Sequence, residues 1–394
     1  MIARFFGMDI HKRFAMIVAV DSQQEVIQPV IRVEMDELSE WAASHLTGND
    51  EVVIEATTNA WQVYDQLTAY AGQVVVANPY KTKLIAQARI KSDKVDALAL
   101  ARLLASHFIC QVWVPDTPIR EQRALAAHRA TLQAQSTRVK NRLHNVLRRH
   151  NLTCPHSSPF SPSGREWLST LELSLTDNLQ IGHLLRQLDL LQDELDEADR
   201  LIARLSAQDP QVPRLMELTG IGYYTAFSIL ATVADIQRFP SANNLASYAG
   251  LVPSLHQSGN RSFNGHITRQ GNPLLRWLLV EAARAAVRFD PRWKHTFDAI
   301  RRRRGSNVAI VAVARKLLVV IWHLLYHHTN YHDLQPQTFV SKLQEWAYRI
   351  GRPYLPAPSA KDFVSFHLIH LGLQHLASSL VSDKTKGHLL VPAA

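Results

Sequence analysis

Four carboxylates stand at positions from which they could share one metal site. Asp9 lies in the first apolar run, 3-ARFFGMDI-10, and Glu55 lies in a later one, 51-EVVIEA-56. Asp93 and Asp96 are three residues apart in 91-KSDKVDALALARLL-104, a spacing that puts both side chains on one face of a helix. Carboxylate oxygens suit Mg²⁺ or Mn²⁺, and two such ions can hold the attacking and leaving oxygens of a phosphodiester exchange.

A simpler explanation of Asp93 and Asp96 is helix capping. Acidic side chains in the first turn favour the partial positive charge of a helix N-terminus, and Lys91 and Lys94 could neutralise them. The metal explanation requires the two strand-end carboxylates to lie beside this pair, because clustered carboxylates repel one another unless a cation holds them. The side chains that the helix is expected to bury are Leu98, Ala99, Ala101 and Leu103.

The first 110 residues predict an α/β domain that could position these carboxylates. Short apolar or alternating runs predict strands over residues 3–10, 14–21, 25–33, 51–56 and 73–79. Helical patterns occupy residues 36–46 and 60–71. Three strands joined by short turns are expected to form an antiparallel meander, and strands joined through helices are expected to run parallel.

Helical patterns dominate the rest of the chain. A basic helix over 119–149 and an acidic one over 177–207 flank a Pro/Ser-rich break at 151–167, which predicts a helical hairpin or coiled coil serving as a linker or a dimerisation arm. Residues 212–330 are mostly helical, with a loop-like interruption at 250–273. Two further helical segments are predicted at 337–349 and 361–381. We therefore divide the chain into 1–110, 111–210, 211–330 and a C-terminal extension of unknown role, 331–394.

Composition and charge narrow the class of protein. Hydrophobic residues make up 46% and charged residues 20% of the 394 positions, which indicates a globular chain with a substantial core. We find no uncharged apolar run of about 18 residues, so no membrane span is expected. The two cysteines, Cys110 and Cys154, lack zinc-site spacing, which favours a reducing cytoplasm.

Basic residues concentrate in the second half of the sequence. Lys and Arg against Asp and Glu number 10 and 13 in residues 1–110, 12 and 12 in 111–210, and 21 and 9 in 211–394. A basic half of this size indicates a polyanionic partner, most often nucleic acid. The basic residues expected to contact its backbone are Arg261, Arg269, Arg276, Arg301, Arg302, Arg303 and Arg304, together with Lys91 and Lys94 of the first domain.

Two segments of this basic half could contact a phosphodiester directly. In 218-LTGIGYYTA-226, Gly220 and Gly222 favour a helix-hairpin-helix turn with free N–H groups for a phosphate, although an ordinary turn between packed helices fits equally. In 254-SLHQSGNRSFNGHITRQGN-272, Ser258 is a candidate nucleophile beside Arg261 and Arg269. The serines of this segment could instead only contact phosphate.

The details of these motifs resemble one family. The segments 7-GMDIHK-12, 54-IEAT-57, 77-ANPYKTK-83 and 91-KSDKVDALALARLL-104 resemble the DEDD-type insertion-sequence transposases related to the pilin-inversion DNA recombinase. The pattern over 215–253, which ends in LASYAGLVP, is similar to the second domain of the same transposases. The resemblance covers 1–110 and about 212–320, in the expected order.

This resemblance implies a fold, a mechanism and partners. It implies an RNase H-like domain of the Holliday-junction resolvase (RuvC-like) type, in which Asp9, Glu55, Asp93 and Asp96 hold Mg²⁺ or Mn²⁺. It implies that Ser258, the serine in a QSG context, forms a covalent phosphoserine intermediate during DNA recombination. It also implies DNA substrates, a structured guide RNA and a homo-oligomer.

Two other functions remain compatible with the residues themselves. A structure-specific nuclease would use only the four carboxylates and an activated water, without a covalent intermediate. A non-catalytic nucleic-acid-binding protein would use the basic half alone. Trapping a covalent protein–DNA adduct distinguishes the recombinase from both, and metal-dependent cleavage distinguishes the nuclease from the binding protein.

Overall fold

The structure, a computed structural model, describes residues 4–85, 93–258 and 261–376. The chain divides into two compact units, 1–116 and 117–394. The first unit is a mixed α/β domain and the second is mostly helical, which confirms the predicted fold class at this level.

The first unit is built on one five-stranded sheet with the order β3-β2-β1-β4-β5. Strands β1 to β3 pair antiparallel, whereas β1 with β4 and β4 with β5 pair parallel. The predicted meander and the predicted parallel strands are therefore confirmed. The elements are β1 (Phe5–Ile10), β2 (Phe14–Val20), β3 (Val26–Glu34), α1 (Leu38–His45), β4 (Glu51–Glu55), α2 (Ala60–Thr68), β5 (Gln73–Ala77), α3 (Pro79–Ile85) and α4 (Asp93–Ala105).

Helices cover both faces of this sheet, which explains why its central strands are almost continuously apolar. One face packs with α1 and α2 and includes Phe6, Met8 and Ile54. The other face includes Val18 and Val53 and packs against α4. Side chains alternate between faces along a strand, so each strand contributes to both cores.

Helix α4 lies against the sheet through a different set of side chains from the expected one. Its buried residues are Ala97, Leu100, Ala101 and Leu104, with the i, i+3, i+4, i+7 spacing of a helix face. The expectation was right for Ala101 and wrong for Leu98, Ala99 and Leu103, which are only half-buried. The helix is rotated so that its two small alanines face the sheet, because this is where it approaches Gly7.

The approach of α4 to β1 requires the glycine at position 7. A Cβ atom on Gly7 would lie 2.1 Å from the carbonyl oxygen of Ala97 and 2.5 Å from the backbone nitrogen of Ala101. Both atoms belong to the helix backbone and cannot rotate away. Gly7 therefore sets how closely the N-terminal turn of α4 is held to the end of β1.

We expect Gly7→Ala to destabilise the protein by about 1–3 kcal/mol, the usual cost of overpacking, and to displace α4 from β1. Urea unfolding monitored by circular dichroism measures this change. Gly48→Ala is the matched control in the same unit, because a Cβ there would meet no atom within 4 Å. Equal stability of Gly7→Ala and the wild type would contradict the proposed close contact.

The second unit contains eleven α-helices and one hairpin in its described residues. They are α5 (Thr117–Arg149), α6 (Pro162–Ser169), α7 (Leu175–Ser206), α8 (Gln211–Met216), α9 (Tyr223–Val233), α10 (Ala242–Tyr248), β6 (Pro253–Ser258), β7 (Arg261–Ile267), α11 (Pro273–Phe289), α12 (Pro291–Arg304), α13 (Ser306–His327), α14 (Pro336–Ile350) and α15 (Ala360–His370).

The two long helices, α5 and α7, run antiparallel in one chain. Arg149 at the end of α5 contacts Asp177 near the start of α7, at 2.8 Å. Arg129, near the start of α5, forms a bidentate pair with Asp199 near the end of α7. Side chains such as Leu143 and Leu184 fill the seam between the helices.

Three sequence predictions of local structure were wrong in this unit. The segment expected to be a loop at 250–273 contains the antiparallel hairpin β6–β7, because its Ser, Gly and Asn residues have low strand propensity and so gave no strand signal. The predicted break at 151–167 contains the start of α6, capped by the Ser161 hydroxyl. Helix α15 ends at His370 before Gly372, which has a positive φ of 70°, and residues 377–381 of the predicted helix lie outside the described residues.

Helix α13 is the one described helix that is long and apolar enough to cross a membrane. It carries Arg315 and Lys316, and half of its most apolar 18-residue stretch is buried inside the second unit. Leu317, Leu318 and Ile321 of α13 belong to the unit's main core. This packing is that of a central helix in a globular core.

The C-terminal extension is part of the core of the second unit. The indole nitrogen of Trp346 donates to the carbonyl oxygen of Ala203 at 2.9 Å. The ammonium group of Lys342 donates to the carbonyl oxygens of Met216 and Leu218, at 2.8 and 2.6 Å. Residues 331–376 therefore hold α7 and the turn after α8 in place.

A buried carboxyl at this contact makes stability depend on pH. Glu217 is 2% exposed and accepts a hydrogen bond from the backbone N–H of Tyr331. Burial raises the pKa of Glu217 to about 7, although this hydrogen bond and the charge of Arg214 oppose the shift. Because the folded state holds the proton more tightly than the unfolded state, this group's contribution to stability is complete below its ordinary pKa and is lost as pH rises towards 7.

We expect Glu217→Gln to gain stability relative to the wild type as pH rises from 4.5 to 7, by on the order of 3 kcal/mol. The amide oxygen can still accept from Tyr331, so the fold should be retained. Denaturant unfolding of both proteins over this pH range gives the difference directly. Exposed Glu172→Gln controls for the loss of one negative charge. A pH-independent difference between Glu217→Gln and the wild type would show that Glu217 is not a buried titrating group.

Candidate functional site

The ends of strands β1 and β4 bring two of the four predicted carboxylates to one face of the sheet. Met8 pairs with Ile54 in the parallel ladder, and both belong to the core on the α1/α2 side. Asp9 and Glu55 are the next residues in each strand, so both point to the opposite face, which α4 covers. Asp9 is mostly buried, with 16% of its side chain exposed, and Glu55 is half-buried.

Helix α4 begins at this edge of the sheet and supplies the other two carboxylates. Asp93 is its first described residue and Asp96 lies one turn on, both exposed. One carboxylate oxygen each of Asp9 and Asp93, together with a ring nitrogen of His11, lie within 4.8 Å of one another. Asp96 and Glu55 are not in this group of three, but Asp96 is close enough to act on Asp9 electrostatically.

The electrostatics at Asp9 show the repulsion expected of clustered carboxylates. Burial raises the pKa of Asp9, and the negative charges of Asp93 and Asp96 raise it further, while His11 opposes the shift. A divalent cation among these oxygens would lower the pKa of Asp9, because it favours the ionised form of each carboxylate. The donor set therefore fits a divalent metal that binds oxygen ligands.

His11 is a member of this site that the sequence reasoning missed. Its Nε2 atom lies 3.2 Å from an oxygen of Asp9 and 3.3 Å from an oxygen of Asp93. The available signal was the alternation in 9-DIH-11, which puts residues 9 and 11 on the same side of an extended chain. The imidazole was not predicted as a ligand, because Mg²⁺ binds mainly through oxygen atoms.

An open cavity of about 510 Å³ adjoins His11. It lies between the turn after β1 and the segment after β4, and several of its lining side chains are polar. Those that could contact a sugar or phosphate are Lys12, Thr57, Thr58, Asn59 and Gln62. Of the residues in the metal-site group, only His11 lines this cavity, and none of the four carboxylates does.

One of the two lysines beside the Asp93 and Asp96 pair has a described position. Lys94 is exposed on the first turn of α4, where its charge is available to a phosphate. Lys91 lies outside the described residues.

The two glycines of the segment 218-LTGIGYYTA-226 have different surroundings. Gly220 has a φ of +88°, and a Cβ there would lie 2.3 Å from the carbonyl oxygen of Ala282 in α11. Packing against α11 thus accounts for Gly220. Gly222 directly precedes α9, and a Cβ there would meet nothing within 4 Å, so the start of α9 has open space beside it.

The hairpin β6–β7 carries the candidate nucleophile at its tip. Ser258 is the last residue of β6 and pairs with Arg261, the first residue of β7. Ser262 pairs with Gln257 one position further from the tip, and Ser254 lies near the other end of β6. The hairpin therefore presents Ser258, rather than Ser254, at its turn.

Two of the predicted arginines lie together at the base of this hairpin. Arg276 is half-buried and donates to the carbonyl oxygen of Ala249 at 3.1 Å. A Cβ on Gly250 would lie 2.9 Å from Arg276 Nη1 and 3.0 Å from the backbone carbonyl carbon of Arg269, so the Arg276 guanidinium lies close to the Arg269 backbone. Burial and the charge of Arg269 both lower the pKa of Arg276. Two adjacent positive charges favour an anion between or beside them.

The four consecutive arginines end helix α12 and are all exposed. Arg301 contacts Asp298 at 3.1 Å, and the guanidinium groups of Arg302 and Arg303 approach carbonyl oxygens of their own helix. Exposed pairs of this kind contribute little to stability. Arg301 to Arg304 thus remain available to a polyanion.

The fold and the site define an α/β domain with a cluster of carboxylates, followed in the chain by a basic, mostly helical unit. Residues 6–152 match the transposase family DEDD_Tnp_IS110, and residues 212–298 match the Transposase IS116/IS110/IS902 family. These matches, with the names of the relatives below, support the assignment of the chain to the IS110/IS116 family of DEDD transposases.

Curated relatives agree with the two family matches. The chain is 28% identical to a transposase for insertion sequence element IS1111A of Coxiella burnetii over 83% of this chain and 91% of that protein. It is 34% identical to a probable family 20 transposase of Pseudomonas aeruginosa, over 38% of this chain and 47% of that protein. A transposase for IS1533 of Leptospira borgpetersenii is 23% identical over 84% of this chain and 97% of that protein.

Proposed function

We propose that this protein is an insertion-sequence transposase that cleaves and rejoins DNA with a divalent metal held by Asp9, Glu55, Asp93 and Asp96. The observation that carries the proposal is the convergence of Asp9 and Asp93 at the end of β1, in a chain that matches two transposase families. When bound, Mg²⁺ or Mn²⁺ would stabilise the charge that develops on the phosphoryl oxygens. The carboxylates would hold the ion, and Lys94 would contact the phosphate.

An RNase H-like fold is part of the proposal. The sheet order β3-β2-β1-β4-β5, with an antiparallel meander followed by parallel strands, supports it. So does the placement of acidic residues at the ends of β1 and β4 and on the first turn of α4. The helix-hairpin-helix assignment of 218–226 rests on Gly222 and the open space before α9.

The second part of the proposal concerns Ser258. Its hydroxyl oxygen would attack phosphorus and lose its proton, the bond from phosphorus to the leaving deoxyribose oxygen would break, and that oxygen would take up a proton. Attack by the hydroxyl of the incoming strand would reverse these steps and release the serine. The position of Ser258 at the hairpin tip, where it pairs with Arg261, supports this assignment. The expectation that Arg269 also lies beside Ser258 was wrong, because Arg269 follows β7 at the opposite end of the hairpin.

Nucleic acid would bind mainly through phosphate contacts. The excess of 21 Lys and Arg over 9 acidic residues in 211–394, and the exposed Arg301 to Arg304, support salt-sensitive binding without readout of bases. A structured guide RNA would then supply the sequence specificity. We further propose that the protein acts in the cytoplasm as a homo-oligomer.

A metal-dependent nuclease without a covalent intermediate is the second candidate function. It is favoured by the match to the DEDD transposase family, since the carboxylates alone can support hydrolysis with an activated water. It does not require Ser258 or an RNA.

The experiment that tests the proposal uses the full chain with labelled DNA that carries the ends of an insertion sequence, with and without RNA that co-purifies with the protein. Mg²⁺, Mn²⁺ or excess chelator is added, and the products are separated after denaturation in SDS. Metal-dependent joined products and an SDS-resistant protein–DNA adduct are expected. Cleavage without an adduct would favour the nuclease, and binding without cleavage in any metal would overturn both.

A further inference from the structure

We propose that His11 is a nitrogen ligand of the metal held by Asp9 and Asp93, and that this ligand makes the site prefer Mn²⁺ to Mg²⁺. The inference rests on the metal site of the proposed function. It adds a residue outside the four predicted carboxylates and names the metal that this residue selects.

The position of the imidazole is the first argument. Its Nε2 atom is nearly equidistant from the carboxylates of Asp9 and Asp93, at 3.2 and 3.3 Å. These three ligand atoms are close enough to share one ion. The Nε2 atom is buried, and neither of its contacts has the direction of a hydrogen bond. A buried ring nitrogen aimed between two carboxylates, without a directed partner of its own, has the arrangement of a metal ligand.

The surroundings of His11 hold the ring in this position. Its backbone N–H donates to the carbonyl oxygen of Phe14 at 2.9 Å, closing the tight turn between β1 and β2. Its ring packs on the ring of Phe14, with the two centroids 4.5 Å apart. The guanidinium of Arg32 also lies over the Phe14 ring, 3.9 Å from its centroid. The Asn59 side chain donates to the carbonyl oxygen of His11 at 3.4 Å. The imidazole is thus oriented before any ion binds.

The types of ligand atom in this site are the reason to expect a preference for Mn²⁺ over Mg²⁺. Mg²⁺ binds oxygen ligands and water almost exclusively and gains little from a ring nitrogen. Mn²⁺ also accepts carboxylates but stands with the transition metals, for which imidazole is a common ligand. A site with two carboxylates and one imidazole should therefore bind Mn²⁺ more tightly than Mg²⁺, and removal of the imidazole should narrow this difference.

Electron paramagnetic resonance of Mn²⁺ bound to the full chain tests the inference without measuring activity. Pulsed spectra of the wild type are expected to show the nitrogen modulation of a coordinated imidazole, and labelling histidine with nitrogen-15 should change it. His11→Gln is expected to lose the modulation and to bind Mn²⁺ roughly tenfold or more weakly, the scale of loss seen when the ligand environment of a metal is altered. Its affinity for Mg²⁺, measured by competition, should fall less.

Matched variants separate this result from loss of folding. His45→Gln removes an exposed histidine of α1, on the far side of the same sheet, and should keep both the modulation and the affinity. Thermal unfolding of His11→Gln should show the cooperative transition of the wild type. Mn²⁺ bound by the wild type without nitrogen modulation would overturn the role of His11 and leave the carboxylate site intact. If neither the wild type nor His45→Gln binds Mn²⁺ at all, the proposed metal function fails as well.

Discussion

Asp93→Asn is expected to reduce DNA cleavage and strand transfer by about a thousandfold or more, while nucleic-acid binding stays close to that of the wild type. An amide cannot supply the charge that holds a divalent ion beside Asp9, so the several kcal/mol of transition-state stabilisation from the ion would be lost. Folding should be retained or improved, because the negative charge of Asp93 raises the pKa of the buried Asp9 in the absence of metal. Product formation in Mg²⁺ and Mn²⁺, with a parallel filter-binding assay, measures both effects.

The other members of the cluster should behave alike if the carboxylates act as one site. Asp9→Asn, Glu55→Gln and Asp96→Asn are each expected to give the same loss of product. Glu40→Gln is the matched control, because Glu40 is an exposed acid on α1, against the opposite face of the sheet. Near-normal strand transfer by Asp93→Asn would contradict metal binding by Asp93 and Asp96. Their position in the first turn of α4 would then be explained by helix capping alone.

Ser258→Ala is expected to bind DNA normally but to form no SDS-resistant adduct and no joined product. If the serine oxygen is the nucleophile, its removal should cost roughly a thousandfold or more, as for other enzymes that lose their nucleophile. Hydrolysis by metal-activated water would not need this hydroxyl, so the same variant distinguishes the two candidate functions. Gel analysis of labelled DNA after denaturation detects the adduct and the joined strands in one experiment.

The neighbouring serines provide the controls for this substitution. Ser254→Ala and Ser262→Ala remove hydroxyls from the same hairpin at positions away from its tip and should keep part of the activity. Ser258→Cys could retain a trace, because a thiolate can also attack phosphorus. An adduct formed by Ser258→Ala would move the nucleophile elsewhere, and full activity of all three alanine variants would leave the nuclease as the better account.

Local sequence patterns determined much of the first unit and part of its site. Apolar alternation located the five strands, and the lengths of the connections decided which strands pair antiparallel and which pair parallel. The same patterns put Asp9 and Glu55 at strand ends and Asp93 and Asp96 on one helix face. These features were accessible because each depends on the periodicity of a few adjacent residues, which a single sequence displays.

Only the tertiary structure decided which surfaces meet. The rotation of α4 onto Ala97 follows from the space left by Gly7, and His11 lies between two carboxylates that come from β1 and α4. The C-terminal extension, whose role the sequence left unknown, contributes to the core of the second unit, where the Trp346 indole donates a hydrogen bond to a carbonyl in α7. The periodicity of a sequence shows which side of a helix or strand is apolar. It does not show which other element that side packs against, how closely the two elements approach, or which side chains could share a ligand. These features depend on residues that are distant in the chain and meet only in the folded protein.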